Sequence, residues 1–380
     1  MGIYSEYLDA LKGFEAYTAE RKKQLRRISE LRKSDVLVIA AAIEKAGASI
    51  DNSDLIPIAD QLDGLTGGTL DVILETPGGS GEVTEEIVKL LRRRHSVVNF
   101  IVPGTAKSAG TIMVMSGDEI MMGSLSALGP IDAQVARNGK YFSAEAFLEG
   151  LEKIKQESDE KKHLNRAYIP ILQGISPGEI EAARNALKFG MSLAARWLET
   201  HKFRHWTVHE STGVAVTAEE RKQRAEKIAS ALGSHAKWLS HGRSIKSEDL
   251  LAMGIRITNY EQNPDLNDAI RRYHTLLRMS FEGNMEKLFE TTKSQIYRFT
   301  HAPAVTPDIA QAKNLLIDFT CSKCRTVTKL QANFGVGQLI KAPVLPFPKN
   351  NKFSCPACGT EADLTGLRLQ IEAQTKKAIL

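Results

Sequence analysis

Two apolar runs stand out along the chain: Leu70-Asp71-Val72-Ile73-Leu74 and Val97-Val98-Asn99-Phe100-Ile101-Val102. Short, nearly continuous runs of this kind read as strands buried on both faces. The first ends in Thr76-Pro77-Gly78-Gly79 and the second leads into Ala106-Lys107-Ser108-Ala109-Gly110-Thr111. The Ser-Ala-Gly-Thr-Ile-Met-Val-Met stretch predicts a helix that starts at Ser108. Downstream, the stretch from Pro177 to Phe203 predicts a long amphipathic helix, with Ile180, Ala183, Leu187, Met191 and Ala195 at helical spacing. That stripe suits core packing, contact with another subunit, or both.

The ends of the chain carry different patterns. Leu8, Leu11, Phe14, Leu25, Ile28 and Leu31 form the apolar stripe of an N-terminal helix decorated by Arg21-Lys22-Lys23, Arg26-Arg27 and Arg32-Lys33. A solvated basic face is the expectation, with phosphate or lipid headgroups as an alternative use. From Pro264 to Phe299 a further helical run is expected, with Leu276, Leu277, Met279, Phe281, Met285, Leu288 and Phe289 on its apolar side. Pro303 and Pro307 then mark a linker. The expected organisation is a basic helix over 1–33, an α/β core over 34–261, a helical segment and linker over 262–308, and a small terminal domain over 309–380.

All four cysteines fall in that last segment, as Cys321-Ser-Lys-Cys324 and Cys355-Pro-Ala-Cys358-Gly. Each pair can present two thiolates from a tight turn, and four thiolates close a tetrahedral zinc shell. A structural zinc ribbon is therefore expected. Two disulfides would suit an oxidising compartment, which nothing else in the sequence suggests. The net charge of +5 over 380 residues is too weak to imply nucleic acid by itself. Lys323, Arg325, Lys329, Phe334, Lys341 and Phe347 could nevertheless give the ribbon a nucleic-acid or protein partner. No stretch approaches the ~18 apolar residues of a membrane span. Glu6, Asp9 and Lys12 interrupt any leader-like apolar segment, so a cytoplasmic protein is expected.

The chemistry centres on Ser108. A serine hydroxyl becomes a useful nucleophile when a base takes its proton and donors stabilise the oxyanion. Glycines expose backbone N–H groups without a side chain in the way, and the first N–H groups of a helix lack intrahelical partners. Ser108 opposite Gly78 and Gly79 would thus sit beside an oxyanion hole, although serine also serves simply as a helix cap.

The segment "LDVILETPGGSGEVTEEIVKLLRRRHSVVNFIVPGTAKSAGTIMVMSGDEIMMGSLSALGPIDAQ" resembles the serine dehydrogenase proteinase family, relatives of signal peptide peptidase A, the Clp proteolytic subunit and the crotonases. With "DVLVIAAAIEKAGASIDNSDLIPIADQL" upstream and "HGRSIKSEDLLAMGIRI" downstream, the resemblance covers about two-thirds of the chain. It implies a Clp/crotonase-like spiral core of ββα units and a serine endopeptidase. Ser108 would be its nucleophile, with oxyanion donors from Gly78 or Gly79 and from Ala109. It also implies a homo-oligomer, a trimer or larger, acting on peptide or protein substrates.

The base is less legible. Asp132 stands where the Clp subunit has its histidine, so a Ser-His-Asp triad of that kind is not expected. Signal peptide peptidases use a lysine; Glu149 occupies that place here, Lys153 lies one helical turn on and Lys140 precedes the helix. Lys153 is the expected base, with His241 the other candidate. Lys107 is read as pointing away from the nucleophile. His201, His205 and His209 recur at helical spacing and could present a metal face, although no acidic pair lies near them and a solvated helix end is the default reading. A different class of function also fits the chain: an inactive crotonase-fold scaffold whose ribbon binds a protein or nucleic acid. Acyl-coenzyme A chemistry, which needs no serine at this helix, is a third.

Overall fold

The computed structural model describes residues 2–137, 140–300, 313–335, 340, 342–375 and 377–380. Two compact units divide the chain at Thr300. The first is built on a seven-stranded sheet. Its strands are β1 (Asp35–Ala41), β2 (Thr69–Glu75), β3 (Val97–Val102), β4 (Ile120–Met122), β5 (Thr258–Asn259), β6 (Met285–Thr291) and β7 (Gln295–Phe299). The order across the sheet is β7-β6-β1-β2-β3-β4-β5. Strands β1 to β5 run parallel, and the β6–β7 hairpin adds antiparallel on the β1 side.

Side-chain alternation explains why β1 to β3 are so uniformly apolar. Leu37, Ile39, Leu70, Val72, Phe100 and Val102 join one buried cluster, whereas Val36, Val38, Ala40, Ile73 and Ile101 join another. Both faces are covered, so a polar residue at either parity would be desolvated. Helices α1 (Ile3–Ala10) and α2 (Phe14–Arg32) precede the sheet. α3 (Gly81–Arg94) and α4 (Ala109–Val114) follow β2 and β3; further on come α5 (Ala144–Lys161), α6 (Pro177–Trp197), α7 (Ala218–Gly233) and α8 (Pro264–Phe281). Leu25 and Ile28 of α2 and Leu266, Ile270 and Leu277 of α8 pack in the second cluster; α3, α4, α6 and α7 contribute to the first.

A second, short layer runs beyond the strand ends. Thr76 bridges Ala106, Thr105–Ala106 pairs in parallel with Ala127–Leu128, and Leu128 bridges Ile245. After β2 and after β3, the chain thus lays one long strand, one short bridge and one helix, which is the expected ββα unit.

Two expectations change. The helical run ends at Phe281, and residues 285–299 form the β6–β7 hairpin. Within it Leu288 and Phe289 face opposite clusters, a strand arrangement that helical spacing concealed. The basic N-terminal face is also only partly solvated. Arg21 is 0 % exposed and meets Glu290 at 3.3 Å and Ser280 Oγ at 2.6 Å. Lys22 donates to the carbonyls of Thr291 and Ser294. These cations fasten α2 to the hairpin. The linker expected around Pro303 and Pro307 lies outside the described residues.

In the second unit Asn314–Thr320 pairs antiparallel with Val327–Asn333, and Lys352–Ser354 with Glu361–Asp363. Each hairpin turn carries one cysteine pair. No helix among the described residues is long and apolar enough to cross a membrane.

Candidate active site

The turn after β2 and the turn before α4 meet at closest range. Gly78 has φ +102° and Gly79 φ +147°, values that side-chain-bearing residues rarely adopt. A Cβ on Gly78 would lie 2.7 Å from Ser108 Cβ and 2.8 Å from Lys107 O. One on Gly79 would lie 2.4 Å from Ile50 N. Glycine at 78 lets this backbone approach the serine, and glycine at 79 lets it pass against Ile50.

Ser108 precedes α4 with φ 50° and ψ −116°, unusual for a residue with a side chain. Its hydroxyl makes no capping hydrogen bond, so the helix-cap role is not what it performs here. Around it, free donors can be counted. Gly78 N–H donates to Thr76 Oγ1 at 3.1 Å. Among the described residues, the N–H groups of Gly79 and Ala109 have no acceptor. Of the expected oxyanion donors, Gly79 and Ala109 are therefore available and Gly78 is engaged. Thr111, fully buried, pins the turn from behind: its Oγ1 lies 2.9 Å from Ala106 O and 2.8 Å from Gly129 O, and accepts from Gly129 N–H at 3.0 Å.

A cleft of about 960 Å³ opens over Ser108, with Gly79, Ile112, Tyr141, Phe189 and His241 in its wall. Asp132, also in the wall, is 1 % exposed. Its Oδ1 lies 2.7 Å from His241 Nδ1, and its Oδ2 3.3 Å from His235 Nδ1. Burial pushes the Asp132 carboxyl up, but hydrogen bonds and charge from His241 and His235 prevail and hold it below the usual carboxylate range. An ionised carboxylate takes the proton-bearing Nδ1 of His241, which leaves Nε2 as the acceptor. Asp132 thus does not replace a histidine; it holds one supplied from 109 residues away.

Lys153 is exposed on α5 and takes no part in the cleft wall, and Glu149 on the same helix is exposed as well. The Lys140 side chain lies outside the described residues. Lys107 does turn away from Ser108, but with a definite target. Its Nζ donates to Gly242 O and Arg243 O at 3.0 Å each, and to Ser244 Oγ at 3.2 Å. Sequence reasoning left Asp132 and this contact unassigned, because nothing in local spacing joins residues so far apart.

His205 and His209 line a second cleft, with Trp206 and Arg224, that shares no wall residue with the first. Among the described residues, the group that gathers metal-type ligands is instead Cys321, Cys324, Cys355 and Cys358, whose sulfurs all lie within 4.8 Å of one another. Cys321 and Cys358 approach to 3.7 Å, as do Cys324 and Cys355, and none is in a disulfide. Each turn closes in the same way: Arg325 N–H donates to Cys321 O and Gly359 N–H to Cys355 O, and both residues have positive φ. The four can hold a metal ion.

Two uncharacterised proteins of Methanocaldococcus jannaschii are 30 % identical over 89 residues and 31 % identical over 125 residues. Those matches take in 23 % and 31 % of this chain, and only 30 % and 44 % of the relatives' lengths. Among solved structures, a serine-to-alanine variant of the 1510-N membrane-bound stomatin-specific protease is 12 % identical with a TM-score of 0.35. That likeness covers 62 % of this chain and 84 % of the other. Over residues 10–170, the segment that carries the glycine turn, Ser108 and Asp132, the chain is similar to the family of ClpP-like SDH-type serine proteinases.

Proposed function

We propose that this protein is a serine endopeptidase that cleaves peptide bonds through Ser108, with His241 as its base and Asp132 as the group that orients it. The carrying observation is that the Asp132–His241 pair opens into the same cleft as a strained, uncapped Ser108. Ser108 Oγ attacks the peptide carbonyl while His241 Nε2 takes its proton. The N–H groups of Gly79 and Ala109 receive the oxyanion of the tetrahedral intermediate. The imidazolium, stabilised by Asp132, then protonates the leaving amine, and water repeats the sequence to free the acyl group. The exposed position of Lys153, outside the cleft wall that holds Ser108, argues against the lysine dyad.

A fluorophosphonate probe tests this on the full chain. Ser108→Ala is expected to abolish labelling, and His241→Ala and Asp132→Asn to slow it by about 100-fold or more. Lys153→Ala is expected to label at the native rate. Native-rate labelling of His241→Ala together with loss in Lys153→Ala would restore the lysine. An unlabelled, folded wild type would favour the inactive scaffold.

We also propose that the cysteine quartet holds structural zinc. Tetrahedral Zn–S bonds of about 2.3 Å place sulfurs about 3.8 Å apart, close to the 3.7 Å of Cys321–Cys358 and of Cys324–Cys355. Four thiolates leave no open position, so the ion would fold the ribbon and take no part in catalysis. Recruitment of a protein or nucleic acid would fall to the ribbon's outer surface.

A further inference from the structure

We infer that Lys107 is a positioning residue that ties the base-bearing loop to the nucleophile turn, so that Ser108 and His241 keep their register. This rests on the reading of His241 as the base. The loop after Leu239 carries the histidine, and its later end is well secured. Ile245 and Leu128 exchange backbone hydrogen bonds at 2.9 Å, and Lys246 Nζ donates to Ser124 O and Ser126 O. The histidine itself has little hold. Its ring meets Asp132, and its own backbone forms no hydrogen bond among the described residues. The two carbonyls that follow it, of Gly242 and Arg243, and the Ser244 hydroxyl are all taken by the Lys107 ammonium. An ammonium has three N–H donors, and this one spends all three on that loop.

Lys107 is bonded directly to Ser108 in sequence, so the tie has no slack on the nucleophile's side. The path of its stem is prepared as well. A Cβ on Gly129 would lie 2.5 Å from Lys107 Cδ and 3.2 Å from Lys107 Cβ. Gly129 is the glycine that Thr111 fixes behind the serine turn. Turn, stem and loop thereby form one braced unit, and displacement of a base by about 1 Å is enough to cost orders of magnitude in rate.

The test is a double-mutant cycle on the full-length protein, read as the rate of fluorophosphonate labelling. Lys107→Met is expected to slow labelling at least about ten-fold, whereas Lys107→Arg, which can still reach the carbonyls, stays within about three-fold. In a His241→Ala background the Lys107→Met change is expected to cost less than about two-fold, since the group it positions is gone. Gly129→Ala keeps every donor and crowds Lys107, its Cδ most closely; it is expected to fall between the native rate and Lys107→Met, and serves if Lys107→Met fails to fold. Native-rate labelling of Lys107→Met, or the same loss with and without His241, overturns the inference while leaving the His241 base intact. Native-rate labelling of His241→Ala overturns both.

Discussion

Ser108 carries the cost of its position in its own backbone. At φ 50° and ψ −116° a residue with a Cβ gives up about 1–3 kcal/mol, and glycine in the same place gives up little. Ser108→Gly is therefore expected to be about 1 kcal/mol more stable than Ser108→Ala, read as a higher denaturant midpoint, although neither can label. Equal midpoints would show that the turn is unstrained. A cap for α4 would gain from a relaxed extended conformation, so the strain speaks against a capping role and is in keeping with the proposed nucleophile. At this scale the sequence was legible where chemistry and spacing coincide. Ser108, Gly79 and Ala109 sit in short motifs, and the cysteines in paired knuckles. Asp132 and His241 do not. Their meeting depends on how the chain returns after α7, and a buried carboxylate with a histidine partner leaves no mark on local periodicity.

At the scale of elements, parallel strands were readable because burial on both faces leaves continuous apolar runs. The β6–β7 hairpin was not, since Met285, Leu288 and Phe289 satisfy helical spacing as well as strand alternation. The turn that continues α6, Leu198–Lys202, holds a consequence for pH. Burial, followed by the charge of Arg92, pushes the half-buried His201 down to about 4. Asp118 opposes this, and Arg204 and Arg196 reinforce it. Unfolded, the imidazole titrates at about 6.5. As pH falls from about 6.5 to about 4 the unfolded chain takes up a proton that the folded one refuses, so stability falls through that window and levels off below it. Solvent around a half-exposed ring limits the loss to the order of 1 kcal/mol. His201→Gln is expected to remove this share, read as a smaller drop in urea midpoint between pH 7 and pH 4.5. An unchanged drop would mean that His201 protonates freely in the folded protein.

For the whole molecule, the division at Thr300 separates two stability problems. The first unit has a large apolar interior on both faces of its sheet. The second has a small one, centred on Leu330, Phe347, Phe353 and Ile371, and domains of that size commonly need a staple. Purified protein is expected to carry one zinc per chain, released when a mercurial titrates the four thiols. Stripping the metal is expected to make residues after Thr300 sensitive to protease while residues before it stay protected. Resistance of the metal-free ribbon would assign its stability to the apolar cluster alone.

The β6–β7 hairpin also decides where this protein can be cut. A fragment ending near residue 261, where motif resemblance stops, would strip β1 of its antiparallel neighbour and leave Arg21 without the carboxylate it faces. The same cut removes α8, whose Leu266, Ile270 and Leu277 pack in the second apolar cluster, and so opens that face of the sheet to water. The serine cleft belongs to a chain that closes on itself only at Thr300, so the shortest autonomous version of it carries its first helices and its last hairpin together.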